Sequence, residues 1–152
     1  MKIRIARKKD QSSLINLMKL ADNREENWAI QRTNSYLENN KKLILIAEEK
    51  GELIGYVGIK KFEDNYARRF VNLEDYIWIT WIAVLPGIKK SGIGSKLLNA
   101  SERYSKKFNK FGIVLDCLEK VLPFYFKLGY VVAGKYLDKK NKLRYVLKKE
   151  IK

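Results

Sequence analysis

The 152-residue chain predicts an α/β fold: a single domain over residues 1–152 whose mixed central sheet of about seven strands is flanked by about four helices. Three observations lead there. Tyr76 to Val84 reads YIWITWIAV, in which only Thr80 is neither apolar nor aromatic, the pattern of a strand buried on both faces. Pro86 ends that strand, and Gly87 to Ser95, GIKKSGIGS, leads directly into a helical pattern. On either side, strand-like and helix-like patterns alternate without a linker, repeat or low-complexity stretch, over a length that suits one packed core.

In chain order, Lys2 to Arg7 alternates as a first strand with Ile3 and Ile5 inward. Asp10 stands as N-cap of a helix whose buried stripe is Leu14, Leu17, Met18 and Ala21, and Asp22-Asn23 breaks it. A second helix covers Glu25 to Glu38 with a weaker pattern through Trp28, Tyr36 and Leu37. Leu43 to Glu48 and Glu52 to Lys60 flank Glu49-Lys50-Gly51 as a hairpin. Phe62 to Leu73, with Glu63, Asp64, Asn65, Arg68 and Arg69 between aromatics, reads as a loop that is either functional or an ordinary charged excursion.

After the central strand and turn, Ile93, Leu97, Leu98, Ser101, Tyr104 and Phe108 share one helix face. Gly112 to Cys117 is a further apolar strand. Pro123 is tolerated only in a first turn, so the helix around Glu119 to Lys127 becomes regular near Leu122, and Gly129 caps it. Tyr130 to Tyr136 and Leu143 to Lys149 pair as a terminal hairpin across Asp138 to Lys142.

Composition narrows the function classes. No segment approaches the roughly 18 uninterrupted apolar residues of a membrane span. The N-terminus lacks an apolar signal core and the single Cys117 has no internal disulfide partner, so a reducing cytoplasm is expected. The formal charge is +15, from 32 basic against 17 acidic residues. It fits attraction to a polyanionic cofactor, attraction to an acidic or nucleic-acid partner, or plain lysine bias. The doublets Lys8-Lys9, Lys41-Lys42, Lys60-Lys61, Lys89-Lys90, Lys106-Lys107, Lys139-Lys140 and Lys148-Lys149 are scattered, whereas a nucleic-acid footprint clusters, so such a partner is not expected. No Cys, His or carboxylate cluster has metal-ligand spacing, and no metal is expected.

The strand-turn-helix junction has a physical use. The first N–H groups of a helix lack internal partners and the dipole is positive there, so a turn that lets the backbone approach closely makes an anion site. Gly92 and Gly94 permit that approach, Lys89 and Lys90 add charge at the rim, and Ser95 brings a hydroxyl. The spacing matches neither the three-glycine dinucleotide fingerprint nor the Gly-Lys-Ser/Thr phosphate loop.

Lys89-Lys90-Ser91-Gly92-Ile93-Gly94 instead resembles the Arg/Gln-x-x-Gly-x-Gly/Ala signature of the GNAT superfamily, the acyl-CoA-dependent N-acetyltransferases, with Lys89 where Arg or Gln is usual. Ala83-Val84-Leu85-Pro86 resembles the family's strand ending in Val-x-Pro, and Phe124-Tyr125-Phe126-Lys127-Leu128-Gly129-Tyr130 its Tyr-x-x-x-Gly-Phe/Tyr segment. The resemblance spans essentially the whole chain. It implies central strands that splay into a cleft, acetyl-CoA as co-substrate, and direct transfer to the amine of a small molecule or peptide by a monomer or homodimer. It further implies that Ile82, Ala83 and Val84 bind the pantetheine through their backbone, that Lys89 to Ser95, including Ile93, hold the pyrophosphate, and that Tyr125 protonates the departing thiolate.

One departure from the family stands out. The usual Glu or His base positions on the central strand hold Trp78 and Thr80, and the chain has no histidine. Glu74 and Asp75 acting through water, Asp116, or an amine that binds already neutral remain as routes. Trp78 and Thr80 share a face with Tyr76 and Ile82 by alternation, which makes an aromatic, weakly polar acceptor surface unless a bulge shifts the register. Asp116 orients an amine or caps a turn, and Cys117, with no His to activate it, reads as a packed thiol. A catalytically weak acyl-CoA-binding or basic nucleic-acid-binding module is the alternative function.

Overall fold

The computed structural model describes residues 1–151, apart from the side chains of Lys89 and Lys90. Its strands are β1 (Lys2–Ile5), β2 (Lys42–Glu49), β3 (Glu52–Lys60), β4 (Tyr76–Val84), β5 (Gly112–Leu118), β6 (Val131–Leu137) and β7 (Leu143–Glu150). Its helices are α1 (Gln11–Ala21), α2 (Glu26–Leu37), α3 (Ile93–Lys107) and α4 (Leu122–Lys127). The seven-stranded sheet runs β1-β2-β3-β4-β5-β7-β6. It is mixed: β1 and β3 pair antiparallel with β2, β5 pairs parallel with β4, and β7 pairs antiparallel with both β5 and β6. The expected α/β class, strand number and helix number are borne out. Among the described residues no helix is long and apolar enough to cross a membrane.

The chain divides into two compact units, and the boundary falls within β4 and within α3. The first comprises Met1–Lys60 and Thr80–Ser101. Lys50 and Gly51, at φ 51° and 81°, make the two-residue turn that joins β2 to β3, the primed geometry that matches strand twist. Leu14, Leu17 and Met18 of α1 and Ala29 and Tyr36 of α2 pack on Ile44, Ile46 and Tyr56, with Trp81 and Ala83 of β4 against them.

One expectation fails at the start of this unit. Ile5 is 38% exposed rather than inward, because β1 is a short edge strand covered little beyond Ala6. Asp10 stands at the N-cap position of α1 but without the expected side-chain cap. Its carboxylate accepts from the Arg7 N–H at 2.7 Å and from Arg4 Nη1 and Nη2 at 2.8 Å each. The arginine and the 3-10 turn Lys8–Asp10 outcompete a plain helix cap for the same oxygens, and they hold the Asp10 carboxyl below its ordinary range.

Trp81 is the hub of the first unit. Its ring centroid lies 4.9 Å from Tyr36, 5.7 Å from Trp28 and 6.5 Å from Tyr56. Tyr36 also hydrogen-bonds Thr80 Oγ1 at 2.6 Å. Consecutive residues of β4 therefore reach one tyrosine, and strict alternation does not hold at Thr80-Trp81.

The second unit comprises Lys61–Ile79 and the chain from Glu102 onward. Tyr76, Ile77 and Trp78 pair with Gly112, Ile113 and Val114. Tyr76, Trp78, Val114 and Val146 form a core with Ala67, Val71 and Leu73, so the 62–73 segment is anchored rather than a loose excursion. It carries a 3-10 turn at Tyr66–Arg69, capped by Asn65 Oδ1 accepting from the Ala67 N–H at 2.8 Å. Pro123 lies in the first turn of α4 and Gly129, at φ 93°, follows its end, as the sequence predicts. Along α3 the buried stripe is Ile93, Leu97, Leu98, Ala100, Ser101 and Ser105, whereas Tyr104 and Phe108 are only half-buried.

A Cβ at Gly58 would lie 2.6 Å and 2.7 Å from ring atoms of Trp81. Gly58→Ala is expected to cost about 1–3 kcal/mol by overpacking, read as a lower denaturant midpoint at unchanged m-value. A variant as stable as the parent would show that the ring is free to move.

Candidate functional site

The site is built by the turn that leaves β4. Leu85 N–H still bonds Ile54 C=O at 2.9 Å, holding the strand end to β3. Pro86–Ser91 then wind as a 3-10 turn, tightened by Ser91 Oγ donating to Ile88 C=O at 2.6 Å. Gly92 stops that turn at φ 82°, ψ 8°, a left-handed conformation that costs a side-chain-bearing residue but not glycine. The first bond of α3 runs from Lys96 N–H to Gly92 C=O at 3.1 Å. The N–H groups of Ile93, Gly94 and Ser95 thus precede the helix ladder, where the dipole is positive.

The helix start is seated by the Ile93 and Leu97 side chains, which approach to 3.3 Å of the position a Gly55 Cβ would occupy, beside Ala83 C=O at 3.2 Å. Nothing lies within 4 Å of where a Gly92 Cβ would be, so the amide end of α3 is open on that side. Ser95 Oγ makes no hydrogen bond among the described residues and is half-buried. Ile82 and Ala83 are half-buried and Val84 buried. The expected side-chain roles of Lys89 and Lys90 lie outside the described residues.

Thr80 also belongs to this first unit, with its hydroxyl held by Tyr36. The sequence pattern did not single out Arg32, which sits beside the same cluster. Its guanidinium carbon lies 4.8 Å from the Trp81 ring centroid and 5.2 Å from that of Trp28. The spacing of Trp28, Arg32 and Tyr36 along α2 is the signal that could have found it.

The other predicted residues lie in the second unit. Tyr125 is buried, edge-on to Phe124 at 5.0 Å and Tyr130 at 5.5 Å. Its hydroxyl makes no hydrogen bond among the described residues, and burial pushes the phenol well above its ordinary value. Tyr130, beside it, has a hydroxyl that is buried without a partner. Asp116 accepts a short hydrogen bond from Tyr136 Oη and faces Arg144 Nη1 at 3.8 Å. Trp78 is a core side chain, 6% exposed. Glu74 is exposed, and Asp75 accepts from Asn72 Nδ2 at 3.2 Å. Both precede β4, at the end of the strand away from the turn. Among the described residues no group of His, Cys, Asp and Glu could hold a metal. The described lysine doublets fall on separate elements and turns.

The amide end of α3 thus follows directly on the end of a central strand in a mixed sheet of this order. The Acetyltransferase (GNAT) family matches residues 12–130, and the chain belongs to it. It is 36% identical over 70 residues to YhfO, an uncharacterized N-acetyltransferase of Bacillus subtilis (strain 168), a match spanning 45% of this chain and only 43% of that relative's length. An aminoglycoside 6'-N-acetyltransferase complexed with coenzyme A is similar in fold at TM-score 0.80 and 17% identity, covering 99% of this chain and 97% of that one. The ribosomal-protein-S18-alanine N-acetyltransferase from Escherichia coli is similar at TM-score 0.74 and 15% identity, covering 99% and 93%.

Burial, then the neighbouring Asp116 charge, pushes the Cys117 thiol up to about 11. A raised pKa keeps the neutral form through neutral pH, and only the thiolate is nucleophilic. Iodoacetamide is expected to modify Cys117 far more slowly than a free thiol at pH 8, with the rate still rising past pH 10. Labelling at the free-thiol rate, followed by mass spectrometry, would contradict this.

Proposed function

We propose that the chain is an acetyl-CoA-dependent N-acetyltransferase acting in the cytoplasm, as a monomer or homodimer, on the amine of a small molecule or peptide. Family membership supports the reaction class. The observation that carries the cofactor assignment is the open amide end of α3 behind the left-handed Gly92. The residues present fit the group: Ser91, Gly92, Ile93, Gly94 and Ser95, with Lys89 and Lys90 at the rim, would hold the pyrophosphate, and the backbone of Ile82, Ala83 and Val84 the pantetheine.

Bound acetyl-CoA supplies an activated thioester: the amine nitrogen attacks its carbonyl carbon, the C–N bond forms, the C–S bond breaks, and the thiolate must take up a proton. Tyr125 is the donor for that proton, since its raised pKa keeps it protonated at neutral pH and its hydroxyl is not engaged elsewhere. The proton lost from the amine passes to water, with Glu74 or Asp75 as its terminus. A relay is invoked because Glu74 and Asp75 lie in the 3-10 turn before β4 rather than on the strand. An amine bound in its neutral form dispenses with the base. Thr80, Asp116 and Trp78 remain the proposed acceptor-contacting residues.

Coenzyme A at a hundredfold excess over its Kd is expected to raise Tm by on the order of 5–10 °C. Gly92→Glu and Gly94→Glu are expected to abolish that shift, each setting a side chain and a negative charge at the amides. No shift in the parent protein, or a full shift in both variants, would remove the cofactor reading.

Tyr125→Phe is expected to keep the coenzyme A shift while lowering kcat for thiol release about 100-fold. An unchanged kcat would move the proton donor elsewhere.

A further inference from the structure

The +15 chain pairs most of its half-buried basic side chains, and Arg32 stands apart. Arg24 Nε bonds Asp22 Oδ2 at 3.1 Å while its guanidinium stacks 4.5 Å from the Trp28 ring centroid, so Asp22 is already committed. Tyr56 Oη, 3.5 Å from the same oxygen, is a weak further neighbour. No carboxylate lies within ion-pair distance of Arg32 among the described residues, although the residue is half-buried and its guanidinium lies against the edge-on pair of Trp28 and Trp81. Indole rings stabilise a cation but satisfy none of the five N–H donors of a guanidinium. A partly desolvated fork of donors held in place by two rings matches a carboxylate, which accepts from it through two parallel bonds.

The cluster adjoins the acceptor-side stretch of β4, because Trp81 follows Thr80 and Tyr36 touches both. Trp28, Trp81 and Arg32 all remain partly exposed, so an incoming group can reach them. We propose that Arg32, flanked by Trp28 and Trp81, binds a carboxylate on the amine acceptor, making the acceptor class an amino acid or a similar amine acid rather than a simple amine or a polycation. The acetylation of that acceptor rests on the acetyltransferase reading; the binding of its carboxylate does not.

Two measurements on the full chain separate these. In the first, quenching of tryptophan fluorescence is titrated with N-acetylleucine and with the neutral N-acetylleucinamide, which share everything but the charge. The parent is expected to bind the acid about tenfold or more tightly than the amide. Arg32→Gln is expected to erase that advantage, and Arg32→Lys, which keeps the charge but not the fork, to retain part of it. Equal affinity for acid and amide in the parent, no quench by either, or an advantage that survives Arg32→Gln overturns the proposal. An arginine that only packs would lower Tm in both variants without changing the ratio.

In the second, kcat/KM is compared for leucine against isoamylamine and tyrosine against tyramine. A parent preference for the carboxylate-bearing member that collapses toward unity in Arg32→Gln supports the proposal, and a ratio independent of Arg32 sinks it. Turnover of amines without carboxylate preference leaves the transferase reading standing and the Arg32 reading refuted. Acid-selective quenching without turnover of any amine does the reverse.

Discussion

The conformation of Gly92 is the constraint on which the rest depends. A left-handed residue at φ 82° separates the 3-10 turn that leaves β4, itself kinked at Ile88 (φ −131°), from the helix that follows. The positive φ turns the chain there, and the carbonyl of Gly92 receives the Lys96 N–H. A backbone angle thus shapes the connection that would serve as the proposed anion receptor.

That receptor is useful only if the helix is seated rigidly. Gly55 lets Ile93 and Leu97 close onto β3, and Gly58 leaves room for the indole of Trp81 against the same strand. Two missing methyl groups on β3 thereby fix both the helix that carries the amides and the aromatic hub beside Thr80. Trp81 in turn orients Tyr36, whose hydroxyl holds the Thr80 side chain. Packing and polar positioning are one system in this unit, so a change of volume at Gly58 bears on both the Trp81 ring and the Thr80 hydroxyl, 3.5 Å from the position a Cβ would take.

Much of this could be read from residue order. The β4 run, the Lys50-Gly51 hairpin, the Pro123 start of α4 and the Gly129 stop each rest on a local rule with one strong physical cause, and each stands where the sequence predicts. What could not be read are outcomes of competition between distant groups. Asp10 had two claimants, a helix and Arg4, and charge-assisted hydrogen bonding won. The Tyr104 and Phe108 positions fit the helical period, but the small Ser105 took the buried place because the helix rotates its stripe toward Ala100 and Ser101. The double reach of Thr80 and Trp81 to Tyr36 breaks a period-two pattern that nothing in YIWITWIAV interrupts. Arg32 was invisible because its neighbours are aromatic rings rather than acids.

The absence of histidine gains meaning from the surroundings of the remaining proton carriers. Burial drives the one thiol and the phenols of Tyr56, Tyr125, Tyr130 and Tyr136 toward their uncharged forms. The scaffold therefore offers no imidazole titration to gate turnover around neutrality. A bend in the rate profile there would report the ammonium of whatever molecule is being modified, so the acidity curve becomes a fingerprint of the guest rather than of its host.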